Sequence, residues 1–282
     1  LLSKVLLLMF HDNVTDREAE ERAKYDLRWK IALRVPIQES GFDHTSLCRF
    51  RARLLVNDQQ KLVFERFLRL AKDAGIVKDG SLQIIDSTNI LGAAAVKDTY
   101  ALIKTAIQKL LAISHKKQGQ TSQKIKDLLL QLDYSKKTKE EIDWNNPQAR
   151  QQLLQSLVDD SHALLEAVSD TELTAEEKAA VEILATVTEQ DIEVTADGKV
   201  SIRQGVAKDR IISVEDPEMR HGHKTSTGKF NGHKGQLIID AESEVITNID
   251  VTPGNQADGE AIGHLLETSQ VTPGMLMGRS EE

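Results

Sequence analysis

Ser81-Leu-Gln-Ile-Ile-Asp-Ser-Thr-Asn-Ile-Leu-Gly92 is the stretch on which the rest of the chain turns. Within it, Gln83-Ile-Ile-Asp86 predicts a short strand entered from Lys78-Asp79-Gly80 and closing on a carboxylate, with Ser87 and Thr88 next. Aspartate is a poor strand former, so an acid directly after an apolar strand calls for a reason beyond propensity. Two readings stand. A carboxylate on a rigid strand is a hard oxygen ligand, suited to Mg²⁺ or Mn²⁺ in phosphoryl transfer. Alternatively, Asp86 is a turn residue capping the following segment.

Working outward, 282 residues suggest two domains, or one with a large insertion, and 40% apolar against 28% charged residues is enough to bury a core. The single cysteine, Cys48, excludes an internal disulfide framework and the cysteine-based zinc folds, and fits a reducing cytosol. The opening Leu1-Leu-Ser-Lys-Val-Leu-Leu-Leu-Met-Phe10 is apolar but short and runs into polar His11-Asp-Asn13, so it reads as a core helix with no membrane role. Leu1 is not an initiator methionine, which suggests a fragment. Net charge is −8, yet residues 1–75 hold fourteen Lys/Arg against eleven Asp/Glu, a surplus of three that leaves −11 for the remainder. That asymmetry allows a nucleic-acid contact near the N-terminus.

Upstream of the quoted stretch the chain reads as all helix. Thr15-Asp-Arg-Glu18 has the capping-box pattern, predicting a helix that runs to about Leu33 and stops at Val35-Pro36. A second helix from Asp43 or Thr45 carries Arg49, Arg51 and Arg53 over a broad basic face, which reads either as a DNA-recognition helix or as a solvated surface. Gln59 to Ala74 forms a third, with Gly75 as its C-cap. Downstream, residues 97 to about 190 are again helical, over Thr99–Ile113, Ile125–Leu132, a helix opened by Asn146-Pro147, and one opened by the capping box Thr174-Ala-Glu-Glu177. Asp197-Gly198 sits where a hairpin turn belongs. Lys229–Asp240 and Val245–Val251 predict an antiparallel pair, followed by a helix from Asp258 to Thr268 and an unpatterned tail.

An acid on a first strand, then a hairpin, then a helix is the opening of a ribonuclease-H-like fold. Ile85-Asp-Ser-Thr88, Asp216-Pro-Glu-Met-Arg-His-Gly-His-Lys224, Phe230-Asn-Gly-His-Lys-Gly-Gln-Leu-Ile-Ile-Asp240 and Val251-Thr-Pro-Gly-Asn-Gln-Ala-Asp258 resemble the blocks of bacterial insertion-sequence transposases of the DDE type. Phe42-Asp-His-Thr-Ser-Leu-Cys-Arg-Phe-Arg51 is similar to the helical DNA-binding domain that precedes their catalytic domain. The resemblance implies an α+β chain, with an all-helical domain over 1–75 and a first catalytic strand within 76–96. A helical insertion over 97–195 follows, then the rest of an incomplete ribonuclease-H-like sheet domain over 196–282. It also implies metal-dependent cleavage and strand transfer at transposon ends, with DNA as partner, Mg²⁺ or Mn²⁺ as cofactor and the bacterial cytoplasm or nucleoid as location, and it allows a homo-oligomer.

Asp86 matches the first of the family's three carboxylates. The second is expected on a strand after the Asp258 helix and the third on a later helix, and the sequence after Leu266 offers neither. Asp240, Asp250 and Asp258 fall at hairpin and helix-start positions and are not promoted to ligands. A truncated chain with Asp86 as its one ligand is expected to hold metal weakly and not to cut DNA, which leaves a non-catalytic DNA-binding protein as the alternative. Arg220, His223, Lys224, Lys229 and Lys234, in a flexible cationic loop, join Arg49, Arg51 and Arg53 as candidate phosphate contacts. His221-X-His223 with His233 also allows a metal hydrolase, though no carboxylate stands at a matching spacing.

Overall fold

A computed structural model describes the chain except residues 117–119, 137, 139, 196–198, 208, 224–227 and 279–282. It divides into two compact units, one of Leu1–Ser81, Asp240–Val245 and Val271–Gly274, the other of Leu82–Ile239, Ile246–Gln270 and Met275–Glu282.

The first unit holds helices α1 (Leu2–Asp12), α2 (Asp16–Tyr25), α3 (Leu27–Leu33), α4 (Thr45–Val56) and α5 (Leu62–Asp73). Val5, Ala19, Ala23, Trp29, Leu33 and Leu47 form the core of the first four, so the apolar opening is a core helix as its sequence indicates. The single helix expected over 15–33 is instead broken at Asp26, whose carboxylate accepts from the Arg28 amide and starts α3 as a new N-cap. The Thr15 capping box is half-formed. Thr15 Oγ1 accepts from Glu18 N, but the Glu18 carboxylate turns to Arg22 at 2.8 Å. At the end of α5, Gly75 adopts φ 70° and the Gly75 and Ile76 amides return to the Lys72 and Ala71 carbonyls. This is a Schellman cap, with glycine at the position where a side chain would clash. Leu68 and Ala71 of α5 then bury against Val77 and Val271.

The second unit opens on β1 (Leu82–Leu91). The strand does not close at Asp86, as its sequence suggested, but carries the acid in mid-strand. Thr88 and Ile90 are β-branched and pleat as readily as Ile84 and Ile85, and Gly235 of the neighbouring strand gives their side chains room. Four helices follow: α6 (Thr99–Lys116), α7 (Gln120–Lys126), α8 (Pro147–Val168) and α9 (Ala175–Gln190). Asn146 accepts from Gln148 N and Ala149 N, and Thr174 with Glu177 completes a reciprocal capping box, as the sequence predicts at both places. The helix expected over Ile125–Leu132 ends at Lys126. Beyond it, buried Asp160 of α8 accepts from Gln131 N, Leu132 N and the Tyr134 hydroxyl, holding that segment as an irregular loop.

A small antiparallel pair, β2 (Ile192–Val194) and β3 (Val200–Ile202), flanks the expected Asp197-Gly198 turn, which lies outside the described residues. The main sheet comprises β1, β4 (Arg220–His223), β5 (Lys229–Asp240), β6 (Ile246–Pro253) and β7 (Met275–Gly278). β5 has β1 on one side, and both β4 and β6 pair with it antiparallel along successive parts of its length. Across the wide part of the sheet the order is therefore β6-β5-β1-β7, which brings Asp86 beside the hairpin across more than 140 intervening residues, the neighbours expected from sequence. Between β6 and β7 runs α10 (Asp258–Glu267), burying Ala261 and Leu265 against Ile85 and Ile238.

β7 corrects the reading of the tail. Met275-Leu-Met-Gly278 pairs parallel with Leu82–Ile85, so the strand expected to be missing after the Asp258 helix is present. A parallel neighbour cannot be reached by a tight turn, and α10 supplies the crossover. The tail hid this strand because four residues are too few for a periodic signal, and its side chains are exposed.

Candidate functional site

The site is built around β1. Ile85 packs against α10, and Ser87, two residues on, donates from Oγ to Asp258 Oδ2 at 3.0 Å, so the odd-numbered side chains face that helix. Strand alternation turns Asp86 to the opposite side of the sheet, with Thr88 and Ile90, which border Gly235. Asp86 is half-buried, and its Oδ1 accepts from the Ser87 amide at 2.8 Å.

On the α10 side a polar network forms at the helix N-terminus. Lys234 Nζ donates to Asp258 Oδ1 and to the Gln256 carbonyl, both at 2.9 Å, and the Gln236 amide approaches the same Asp258 oxygen at 3.5 Å. Burial works to raise the Asp258 carboxyl, but hydrogen bonds from Lys234 and Ser87 outweigh it and hold the group below the usual carboxylate range. Asp258 is thus a neutralised anchor, separated from Asp86 by the thickness of the sheet. Asp250 lies 3.5 Å from His264 of α10. Asp240, in the other unit, is buried and accepts from Ser81 and Ser243. Among the described residues Asp86 belongs to no group of three metal-ligating side chains.

The described part of the segment expected as a flexible cationic loop is a pair of antiparallel strands. Arg220, His221, Gly222 and His223 pair with Gly232, Asn231, Phe230 and Lys229. The cause lies in the glycines, which let backbones approach where any Cβ would collide, Gly222 against Phe230 and Gly254, and Gly232 against Ile90. This pairing separates the candidate cations. His223 and Lys229 are exposed. Arg220 is turned back onto the carbonyls of Pro217 and Met219, and Lys234 is paired with Asp258. Lys224 lies outside the described residues. The three histidines also part company, His221 bonding Asn231 at 2.6 Å and His233 bonding Asp216 at 3.0 Å. Beside Arg220 and His221, an open cleft of about 690 Å³ extends to Asn255, Gln256 and Glu260.

In the helical unit, Arg49 and Arg53 are exposed on α4. Arg51 is not part of the same free face. It grips Asp16 of α2 through both terminal nitrogens, because the i and i+2 positions of a helix diverge by about 200°.

Residues 1–53 match the model of a transposase domain (DUF772), and residues 200–277 match that of the transposase DDE domain. Together the two matches support an insertion-sequence transposase of the DDE type. Neither a curated protein nor a solved structure is matched. In this chain the first matched span covers α1 to α3 and most of α4, and the second runs from β3 into β7. Asp86 and the helices between the two spans fall outside both. The matched domains support a role in DNA transposition, with DNA ends as partner and divalent metal as the cofactor general to the DDE domain. No described helix is long and apolar enough to cross a membrane. Ser87, Gln236 and the Asp216–His233 pair are site features the sequence reading passed over. Ser87 alone carried a signal, as the polar neighbour of the strand acid.

Proposed function

We propose that the chain works on transposon-end DNA through a basic helical domain over 1–75 and a ribonuclease-H-like framework whose first strand, within 76–96, carries Asp86 at the position of the first metal ligand. In this reading 97–195 is a helical insertion and 196–282 continues the sheet. The observation that carries it is the strand order β6-β5-β1-β7 with an acid in the middle of β1, since that order joins a hairpin, a crossover helix and a parallel return strand around one carboxylate.

Among the described residues the donor set is incomplete for a two-ion site. β7 brings Met275, Leu276, Met277 and Gly278 alongside β1 and no carboxylate, while Asp258 is across the sheet and held by Lys234. A lone carboxylate leaves Mg²⁺ or Mn²⁺ largely hydrated and weakly held. DNA binding without cleavage is the second reading of the lineage, and the assay below separates it from metal-dependent cleavage. Arg49, Arg53, His223 and Lys229 are exposed among the described cations that were predicted, and they make phosphate contacts, whereas Arg51, Arg220 and Lys234 support the structure from their internal partners.

The test is anisotropy on transposon-end DNA across a salt series, beside a nicking assay with Mn²⁺. Arg49→Ala with Arg53→Ala is expected to weaken binding and to lower the salt slope by roughly one per residue. Arg51→Ala is expected to act chiefly through stability. Wild type and Asp86→Asn should nick alike, at background. Mn²⁺-dependent nicking that disappears in Asp86→Asn would establish a complete metal site and overturn the non-catalytic reading. Unchanged DNA affinity in the double arginine variant would remove α4 from the interface.

A further inference from the structure

Away from the sheet, one group of side chains in the helical unit has the composition and spacing of a metal centre. Glu20 lies on α2, Asp43 and His44 at the start of α4, and one ligand atom from each falls within 4.8 Å of the others. The separations are 2.9 Å from His44 Nδ1 to Glu20 Oε2 and 3.9 Å from the same nitrogen to Asp43 Oδ2. For bonds of about 2.05 Å to Zn²⁺, ligand atoms around a tetrahedral ion stand about 3.3 Å apart, so these two distances bracket the value required.

The carboxylates are oriented by hydrogen bonds to their other oxygens. Lys24 takes Glu20 Oε1 at 2.5 Å, and the Thr45 amide takes Asp43 Oδ1 at 2.9 Å. Outer hydrogen bonds of this kind orient carboxylate ligands in metal sites. Glu20 Oε2 and Asp43 Oδ2 face His44 Nδ1, and Glu20 Oε2 also accepts from the His44 backbone N–H at 2.9 Å. Cys48, one turn along α4, is turned to Asp16 at 3.3 Å and stands apart from the group.

We propose that Glu20, Asp43 and His44 bind a borderline divalent cation, best Zn²⁺, with water filling the remaining coordination. On binding, the His44 Nδ1 lone pair and the two carboxylate oxygens bond the ion, and any proton carried on Nδ1 passes to buffer. The ion would fasten the start of α4 to α2 with no change in the sheet. The competing view is a plain interhelical strut, in which His44 bonds Glu20 and metal has no effect.

The experiment uses the full chain without an affinity tag, titrated with Zn²⁺ alone by calorimetry and with Co²⁺ followed in the visible spectrum. Wild type should bind an ion that His44→Ala and Glu20→Gln weaken tenfold or more. Asp43→Asn, at an exposed side chain, should weaken binding about tenfold while leaving the helical circular dichroism unchanged, and so remains decisive if either other variant unfolds. Cys48→Ser should bind like wild type, and the Co²⁺ complex should lack a thiolate charge-transfer band. No binding, equal binding in wild type and Asp43→Asn, or loss of binding in Cys48→Ser would each overturn the proposal. None of these readouts depends on DNA, so its failure leaves the transposition reading untouched.

Discussion

Asp191→Ala is expected to destabilise the sheet-bearing unit by about 3–5 kcal/mol, several times what an exposed ion pair contributes. Asp191 caps the end of α9, with its side chain 7% and that of Arg210 12% exposed. Its two oxygens accept from Arg210 Nε at 2.8 and 2.9 Å and from Nη2 at 2.5 Å, while Oδ2 also takes the Thr99 hydroxyl at 2.8 Å. One carboxylate thus joins the start of α6, the end of α9 and the segment leading back to the sheet. Truncation leaves a guanidinium buried without its counter-charge, and that uncompensated charge accounts for most of the cost. Replacing both partners by apolar residues of similar volume, Asp191→Leu with Arg210→Met, should recover most of it. Urea unfolding with amide exchange on α9 as a local probe measures both. A loss below about 1 kcal/mol for Asp191→Ala would show that water reaches the pair and that its burial carries little weight.

Gly232→Ala should cost about 3 kcal/mol or more, for a steric reason. A Cβ at this position would lie 2.1 Å from the Ile90 carbonyl oxygen and 2.6 Å from the Gly92 nitrogen, and the backbone φ is 152°. Neither neighbour can yield cheaply. Both belong to backbone beside β5, where Gly92 N–H donates to Asn231 at 2.8 Å and Gly254 N–H donates to Gly232 at 3.1 Å. Relief of the clash would part β1 from β5 at the end of the sheet next to the β4–β5 pair, so DNA binding through His223 and Lys229 should fall with stability. Gly259→Ala makes the matching control, because a Cβ there meets nothing within 4 Å and the residue lies inside α10. It should raise stability by about 0.5–1 kcal/mol. Equal midpoints for Gly232→Ala and wild type in denaturant would mean the sheet edge can shift without penalty.

What the sequence determined by itself was local or short-range in chain. Thr174 with Glu177, Asn146 with Pro147, and Gly75 each mark a helix end through bonds spanning a few residues, so their chemistry is written in adjacent letters. The strands Lys229–Asp240 and 246–253 were legible for the same reason, being joined by a short turn and clearly apolar. The family followed from motifs in order along the chain. Tertiary structure decided the rest. Strand β7 has no periodic pattern and exists only because β1 offers it an edge. Asp86 sits in mid-strand because β5 extends far enough to pair with residues beyond it. Whether a cation is free for DNA was also hidden, since Arg51 and Lys234 are occupied by Asp16 and Asp258, residues 35 and 24 positions away. The same holds for acids near Asp86 in sequence order. Alternation and packing send Asp258 to the far face of the sheet, and a spacing along the chain carries no information about which face a distant carboxylate will occupy.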